Sequence, residues 1–259
     1  MKRWPAQTMM GVLVAATLAL AACTAMQTDR LVRAEALRDL GEAHLLDQNP
    51  RGALRELLEA ERLNPSDPLT HNLLGLAYDG LGRLDLAGQH FNQALALKPD
   101  FSEARNNLAV VLLKQEQYAA AVAHLEQILE DLLYPTPHIA ACNLGWAYYR
   151  TGRLQLAEQS YRSALDHYSG GGFRDQTFIR ALVGLGRVLL EQDRSREALG
   201  PLQTAAGLVP ERAEVQFELG RAYAATGDTN SARQALGKVI DLAPDSDWAK
   251  KARDLSAGL

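Results

Sequence analysis

The chain has 259 residues, of which 47% are hydrophobic and 22% are charged, the balance of an ordinary globular protein. Its formal net charge of -4 offers no positive field to a phosphate backbone, so nucleic acid is excluded as an expected partner. Two cysteines, Cys23 and Cys142, form neither a disulfide framework nor the paired spacing of a zinc or redox site. We expect no cofactor.

The N-terminal 22 residues have the three parts of a secretory signal. Lys2 and Arg3 are followed by an uncharged run over residues 9–20 and then by small residues. The run is shorter than the roughly 20 residues that span a bilayer. The sequence "LAAC", ending at Cys23, resembles the bacterial lipobox, which implies cleavage before Cys23 and acylation of its thiol. Two or three acyl chains anchor durably, so the resemblance predicts membrane attachment through Cys23.

The residue after this cysteine is Thr24, where an aspartate would be the inner-membrane retention signal of lipoproteins. By the same resemblance, the mature chain is expected at the outer membrane, lipid-anchored and facing the periplasm. The alternative is a plain signal peptide in which Cys23 is coincidental.

A repeat of about 34 residues accounts for most of the remaining chain. A leucine followed by a small residue recurs six times, and an alanine stands 12 positions after each small residue. The small residues are Gly41, Gly75, Ala109, Gly145, Gly186 and Gly220. They predict two antiparallel helices per unit whose backbones approach closely, and a proline ends the second helix in four of the units.

This pattern resembles the tetratricopeptide repeat over nearly the whole mature chain. The resemblance implies an all-α fold, a right-handed α-solenoid of six helix hairpins. After the sixth unit, Trp248, Ala252 and Leu255 fall on one face of a predicted capping helix. The predicted organisation is a signal peptide over 1–22, an acylated tether over 23–30, six repeats over 31–245, and a capping helix and tail over 246–259.

No sequence motif of a hydrolase, a nucleotide-binding loop or a metalloprotease occurs in the chain. We therefore expect no enzyme and no small-molecule substrate. His90 and His124 occupy the same place in successive repeats, which makes a metal pair conceivable. Solvated or packed positions are favoured instead, because no neighbouring cysteine or carboxylate pattern completes a site, and no metal site is predicted.

The first helix of each unit is expected to line a concave wall, as it does in tetratricopeptide domains. The middle of this wall is apolar for a surface and predicts a groove for a helix or an extended peptide. The predicted groove residues are Leu69, Asn72, Leu76, Asn106, Val110, Leu113, Ile139, Cys142, Trp146 and Tyr149. Asn106, Asn107 and Asn143 are candidates to hold a peptide backbone. Alternatively, neighbouring helices or the chain's own ends cover these positions.

The third and fourth units resemble a narrower family, the type IV pilus biogenesis lipoproteins called pilotins. The resemblance rests on Asn106-Asn107, on Tyr118, on the turn Leu133-Tyr134-Pro135 and on Asn143-Leu144-Gly145. It implies a non-enzymatic outer-membrane lipoprotein that binds secretin subunits and promotes their localisation and multimerisation. The alternatives are a periplasmic lipoprotein adaptor for outer-membrane protein assembly or peptidoglycan synthesis, and a regulatory subunit that activates a periplasmic enzyme.

Overall fold

The computed structural model describes the backbone of residues 6–168 and 175–259 and the side chains of residues 26–168 and 175–259. All regular secondary structure in these ranges is helical, and no strand occurs in them. The helices are α1 (Ala6–Leu46), α2 (Pro50–Leu63), α3 (Pro68–Gly80), α4 (Leu84–Leu97), α5 (Ser102–Lys114), α6 (Tyr118–Leu129), α7 (Pro137–Arg150), α8 (Leu154–Asp166), α9 (Gln176–Glu191), α10 (Ser195–Leu208), α11 (Ala213–Thr226), α12 (Thr229–Leu242) and α13 (Asp247–Ala257).

The chain forms two compact units that divide within α5, between Val111 and Leu112. In the first unit, α1 pairs with α2 and α3 pairs with α4. In the second unit, α7 pairs with α8, α9 with α10 and α11 with α12. Helices α5 and α6 belong to the third repeat. The all-α, tetratricopeptide-type fold predicted from the repeat is therefore confirmed.

The small residue of each predicted repeat lies where the two helices of a hairpin approach most closely. A Cβ atom added at Gly75 would lie 2.4 Å from the ring of Phe91, and one at Gly186 would lie 2.5 Å from Leu202. The glycines at 41, 145 and 220 meet Leu57, Tyr161 and Leu236 in the same way. Because real Cβ atoms do not approach so closely, the partner side chain would have to shift to admit an alanine at these positions.

The alanines of the repeat form the centre of each hairpin. All six that follow the small residue by 12 positions are fully buried: Ala53, Ala87, Ala121, Ala157, Ala198 and Ala232. A methyl group at this place lets the helices pack closely while large side chains such as Phe91 and Leu125 fill the space beside it. Each hairpin thus has a similar core layer.

A residue with positive φ ends the first helix in every repeat. Glycine occupies the position at Gly82, Gly152 and Gly227, with φ of 71°, 73° and 83°. The equivalent residues of the other three repeats are Gln48, Glu116 and Asp193, with φ between 55° and 60°. The turn geometry is therefore common to all six repeats, while the residue that favours it is present in only half of them.

The link between α6 and α7 and the last helix, α13, also agree with what the sequence predicts. The helix break at Tyr134-Pro135 is the link between α6 and α7, and the Tyr134 side chain is buried there. Helix α13 is the predicted capping helix, and its Trp248, Ala252 and Leu255 pack against the last hairpin at Phe217 and Leu236. It therefore covers apolar surface that a seventh repeat would otherwise bury.

At the N-terminal end, α1 is a continuous helix that includes residues 23–30, the predicted tether. The side chain of Cys23, the predicted acylation site, lies outside the described residues. Among the described residues, no helix is both long and apolar enough to cross a membrane.

Candidate functional site

The second compact unit contains a cavity of about 360 Å³ between the first helices of its last three repeats, α7, α9 and α11. Trp146 of α7 and Ile179 and Val183 of α9 form its apolar wall. Tyr161 of α8 lines it too, its ring packed against Gly145 and Gly184. The cavity therefore lies on the helices that the repeat pattern assigned to the concave wall.

Trp146 is the largest side chain that the sequence analysis placed in the groove, and it is half-buried in the cavity wall. Its ring stacks on Tyr149, one turn further along α7, with 5.8 Å between centroids. The guanidinium carbon of Arg150 lies 5.3 Å from the centroid of the indole ring. These contacts fix the aromatic pair while leaving part of both rings accessible, the arrangement typical of residues that anchor a bound protein segment.

Cys142 also lines this cavity, as the groove prediction requires, but it is only 1% exposed. Its Sγ lies 3.9 Å from the carbonyl oxygen of Thr177. Burial raises the pKa of the Cys142 thiol to about 11, so the thiol is protonated at neutral pH. Since the thiolate is the reactive form, Cys142 contributes apolar surface here and not a nucleophile.

The charged residues of the cavity leave an excess of positive charge. Arg187 is neutralised by two carboxylates, those of Glu214 and Glu218, each at 2.7 Å. Arg180 instead donates to the side-chain carbonyl of Asn143 at 3.0 Å. In the same way, Arg212 donates to that of Gln176 at 2.7 Å. Among the described residues, these two guanidinium groups thus contact neutral amides, which leaves their charges available to a ligand carboxylate.

The predicted groove residues of the first compact unit differ from one another in accessibility. Leu69 is 43% exposed, whereas Leu76 is half-buried against the cluster that contains Leu57 and Leu74. Asn72 is 6% exposed, and its Oδ1 accepts a hydrogen bond of 3.0 Å from Nδ2 of Asn107. Asn107 was expected to hold a peptide backbone, and this bond uses one of its two amide N–H groups within the protein.

Asn106 and Val110 of α5 belong to the same unit and are half-buried. The Oδ1 atom of Asn106 is buried and accepts no hydrogen bond from the described residues. A buried acceptor without a donor is costly, so this atom is a natural partner for an N–H group of a bound segment. Of the predicted residues in the second unit, Leu113 and Ile139 are likewise half-buried.

The wall of the sixth repeat is covered by the chain itself. Phe217, on the first helix of this repeat, is 8% exposed, and its ring lies 5.3 Å from that of Trp248 in α13. Here the alternative interpretation, that the chain's own end covers the apolar surface, is correct. A second cavity of about 520 Å³ between Leu190, Arg221 and Leu255 marks the edge of this contact.

Among the cavity residues that the sequence did not predict are Gln176, Ile179 and Arg212. Gln176 is the first residue of α9 and Arg212 directly precedes α11, so neither belongs to the helical spacing that defined the wall. Ile179 directly precedes Arg180 in α9, so the two side chains leave the helix in different directions. No periodic signal in the sequence identifies these three positions.

Comparison with known proteins agrees with this architecture. The family model described as tetratricopeptide repeat matches residues 38–102, 72–136, 106–171 and 183–247. A solved structure of PilW, described as a widely conserved type IV pilus biogenesis factor, is 23% identical with a TM-score of 0.74. The match covers 84% of this chain and 97% of that one.

Two further solved structures share the fold. PilF of Pseudomonas aeruginosa is 19% identical with a TM-score of 0.74, and the match covers 87% of this chain and 99% of that one. YrrB, described as a TPR protein with an unusual peptide-binding site, is 20% identical with a TM-score of 0.59, and the match covers 76% and 97%. At these identities the likeness concerns the fold alone. Since the family model matches well over half of its residues, the chain belongs to the tetratricopeptide repeat family, whose helix hairpins are scaffolds for binding other proteins.

Proposed function

We propose that this protein is an outer-membrane lipoprotein, anchored through acyl chains on Cys23, that binds secretin subunits. In this proposal it promotes their outer-membrane localisation and multimerisation in type IV pilus biogenesis, without catalysing a reaction. The observation that carries the proposal is the cavity between α7, α9 and α11, with the accessible aromatic pair Trp146 and Tyr149 at its wall. The choice of secretin subunits as the partner rests on the resemblance of the third and fourth repeats to pilotins.

The chemistry of the cavity defines the segment that it binds. Its volume of about 360 Å³ holds one or two apolar side chains, which Trp146, Ile179 and Val183 contact. Arg180 and Arg212 bind a carboxylate of the same segment, because neither is neutralised by an acidic side chain of the described residues. We therefore expect a secretin segment in which an apolar residue stands close to an aspartate, a glutamate or the C-terminal carboxylate.

Two further observations support the assignment to pilus biogenesis. The structures of PilW and P. aeruginosa PilF resemble this chain over nearly the whole length of those proteins. The Leu133-Tyr134-Pro135 turn on which the pilotin resemblance rests links α6 to α7, and its Tyr134 side chain is buried. Membrane anchoring adds affinity without new contacts, because it keeps the binding surface at the leaflet where the secretin assembles.

The proposal is tested by deleting the gene and separating unboiled outer membranes on a denaturing gel. We expect secretin monomers to replace the multimers that survive in unboiled samples. The wild-type gene supplied in trans should restore the multimers. A Cys23→Ser gene should restore few multimers, because the acyl anchor is lost. Secretin multimers that persist in the deletion strain would contradict the proposal.

The cavity itself is tested with Trp146→Glu, which removes the aromatic ring from the apolar wall and places a carboxylate among the guanidinium groups that are expected to bind the carboxylate of the ligand. We expect the variant to keep its helical circular dichroism spectrum and to lose at least about 10-fold in affinity for the secretin, or roughly 1.4 kcal/mol. Leu156→Glu is the matched control, because Leu156 is a 40% exposed apolar residue on the second helix of the same repeat. Equal binding by both variants would exclude the cavity as the binding site.

The expected carboxylate is tested by reversing charge at Arg180. Arg180→Glu should weaken binding, and the loss should shrink as ionic strength rises, because added salt screens the attraction that the variant removes. Arg196→Glu is the control, since Arg196 is exposed on α10 and the charge change is the same. If Arg180→Glu binds like wild type at low salt, the segment carries no carboxylate at this place.

A further inference from the structure

Three potential metal ligands meet in the first compact unit, apart from the proposed binding cavity. Glu61 lies near the end of α2, His71 on the first half of α3 and His90 on α4. Nδ1 of His71 lies 3.3 Å from Nδ1 of His90. Oε1 of Glu61 lies 3.6 Å from the first of these nitrogens and 3.9 Å from the second. The three atoms therefore form a compact triangle contributed by three helices.

The tautomer of His71 is fixed by a bond on the other side of its ring. Nε2 lies 2.9 Å from the carbonyl oxygen of Pro65, which can only accept, so Nε2 carries the proton. Nδ1 is then an unprotonated nitrogen whose lone pair points towards His90. Metal-binding histidines characteristically donate their second N–H to a backbone carbonyl in this way, because the bond holds the ring in position.

The other ligands are held as well. The His90 ring stacks on the ring of Tyr78, with 5.2 Å between centroids, and meets the nearly parallel His71 ring edge to edge through the two Nδ1 atoms. The side chain of His71 is 5% exposed and that of His90 is 17% exposed, while that of Glu61 is 29% exposed. The site is therefore mostly shielded from bulk water and open on the carboxylate side.

The size of the triangle fits a small tetrahedral ion. Zinc binds histidine nitrogen and carboxylate oxygen at roughly 2.0–2.2 Å, which places two tetrahedral ligands about 3.3–3.5 Å apart. The nitrogen pair already has this separation. The carboxylate oxygen needs to move by a few tenths of an ångström, which a rotation of the partly exposed Glu61 side chain provides.

We propose that Glu61, His71 and His90 bind one divalent transition-metal ion of the zinc class. A water molecule or a partner's side chain completes the tetrahedron on the open side. The ion links the second helix of the first repeat to both helices of the second, and so stabilises their junction. From the sequence, His90 and His124 were a conceivable pair but no metal site was predicted; His124 is not a member of this group.

The test uses the full-length chain, purified in detergent without a histidine tag and stripped of metal with a chelator. Calorimetric titration with zinc(II) should show one equivalent bound, and the melting temperature should rise on addition. Cobalt(II) should give the visible absorption of a tetrahedral site without the thiolate-to-metal band that cysteine ligands produce. No binding by the stripped chain would mean that His90 simply hydrogen-bonds to His71, and would overturn the proposal.

Two variants locate the ion. His90→Gln should weaken zinc binding more than about 100-fold, which exceeds the loss expected for a residue that only hydrogen-bonds to a metal ligand. The control His124→Gln should retain wild-type affinity. Because His90 is partly buried, Glu61→Gln serves as a second variant if His90→Gln does not fold, and it should also weaken binding. Equal affinities of the Glu61 variant and wild type, or equal losses in the two histidine variants, would refute this ligand set.

Discussion

Gly184→Ala is the substitution for which the structure gives the sharpest expectation. An ideal Cβ atom at this position of α9 would lie 2.3 Å from Cζ of Tyr161, and 2.5 Å and 2.7 Å from its two Cε atoms. Carbon atoms in ordinary contact are roughly 3.5–4.0 Å apart, so each separation is about 1 Å too short. Tyr161 is 2% exposed and is also in close contact with Gly145 of α7, which limits how far its ring can move.

The expected cost follows from two opposing contributions. Overpacking a tight core costs about 1–3 kcal/mol, whereas replacing glycine by alanine within a helix gains about 1 kcal/mol in propensity. Because the overlap involves three ring atoms of a buried side chain, we take the upper end of the packing cost, about 3 kcal/mol, and expect a net loss of about 2 kcal/mol. Gly237→Ala is the control, since it is also inside a helix and its Cβ would meet nothing within 4 Å. That variant should gain about 0.5–1 kcal/mol.

The assay is urea unfolding followed by circular dichroism, with the free energy extrapolated to water. The steric cause is isolated by adding Tyr161→Leu, since leucine fills the equivalent place at Leu57, Leu125, Leu202 and Leu236. In the double variant the two losses should be clearly less than additive, because the smaller side chain leaves room for the methyl group. Additive losses, or a Gly184→Ala chain as stable as wild type, would refute the reasoning.

Three further outcomes are expected. Burial, the largest cause, lowers the pKa of His138 below its ordinary value of 6.5, so the unfolded chain binds the proton more readily. Stability should therefore fall as the pH drops below about 6.5, and His138→Gln should make the decline in unfolding free energy shallower. Gln48→Gly relieves a residue at φ 55° and should raise the unfolding free energy by about 1 kcal/mol; an unchanged value would mean that the turn carries no strain. Glu218→Ala leaves Arg187, whose side chain is 15% exposed, with one carboxylate fewer and should cost about 3–5 kcal/mol, measured in urea. A loss under 1 kcal/mol would show that the remaining carboxylate suffices.

The hairpins were predictable because they depend on residues at fixed spacings within one repeat. Glycine or alanine at one place, alanine 12 positions later and a large apolar side chain beyond it are enough to specify two closely packed helices. The capping helix was predictable for the same reason, since Trp248, Ala252 and Leu255 share a helical face. The positive-φ turn is marked by glycine in only three repeats, at Gly82, Gly152 and Gly227.

The candidate site was predictable only in outline. The repeat pattern assigned Trp146 and Tyr149 to the wall formed by the first helices. The structure shows that Trp146 lines a cavity in that wall. The repeat pattern did not reveal that Cys142 is buried or that α13 covers Phe217, because both depend on how one repeat packs on the next. Side-chain contacts between repeats carry no periodic signal, since they depend on the residues that happen to face each other.

What the sequence by itself determined is the hairpin, its length and its small-residue contacts, because these follow from local periodicity. Only the tertiary structure placed Gly184 against Tyr161 and brought Glu61 to His71 and His90. The physical reason is that these neighbours belong to different hairpins, so their proximity is decided by the stacking of whole repeats and not by their spacing along the chain.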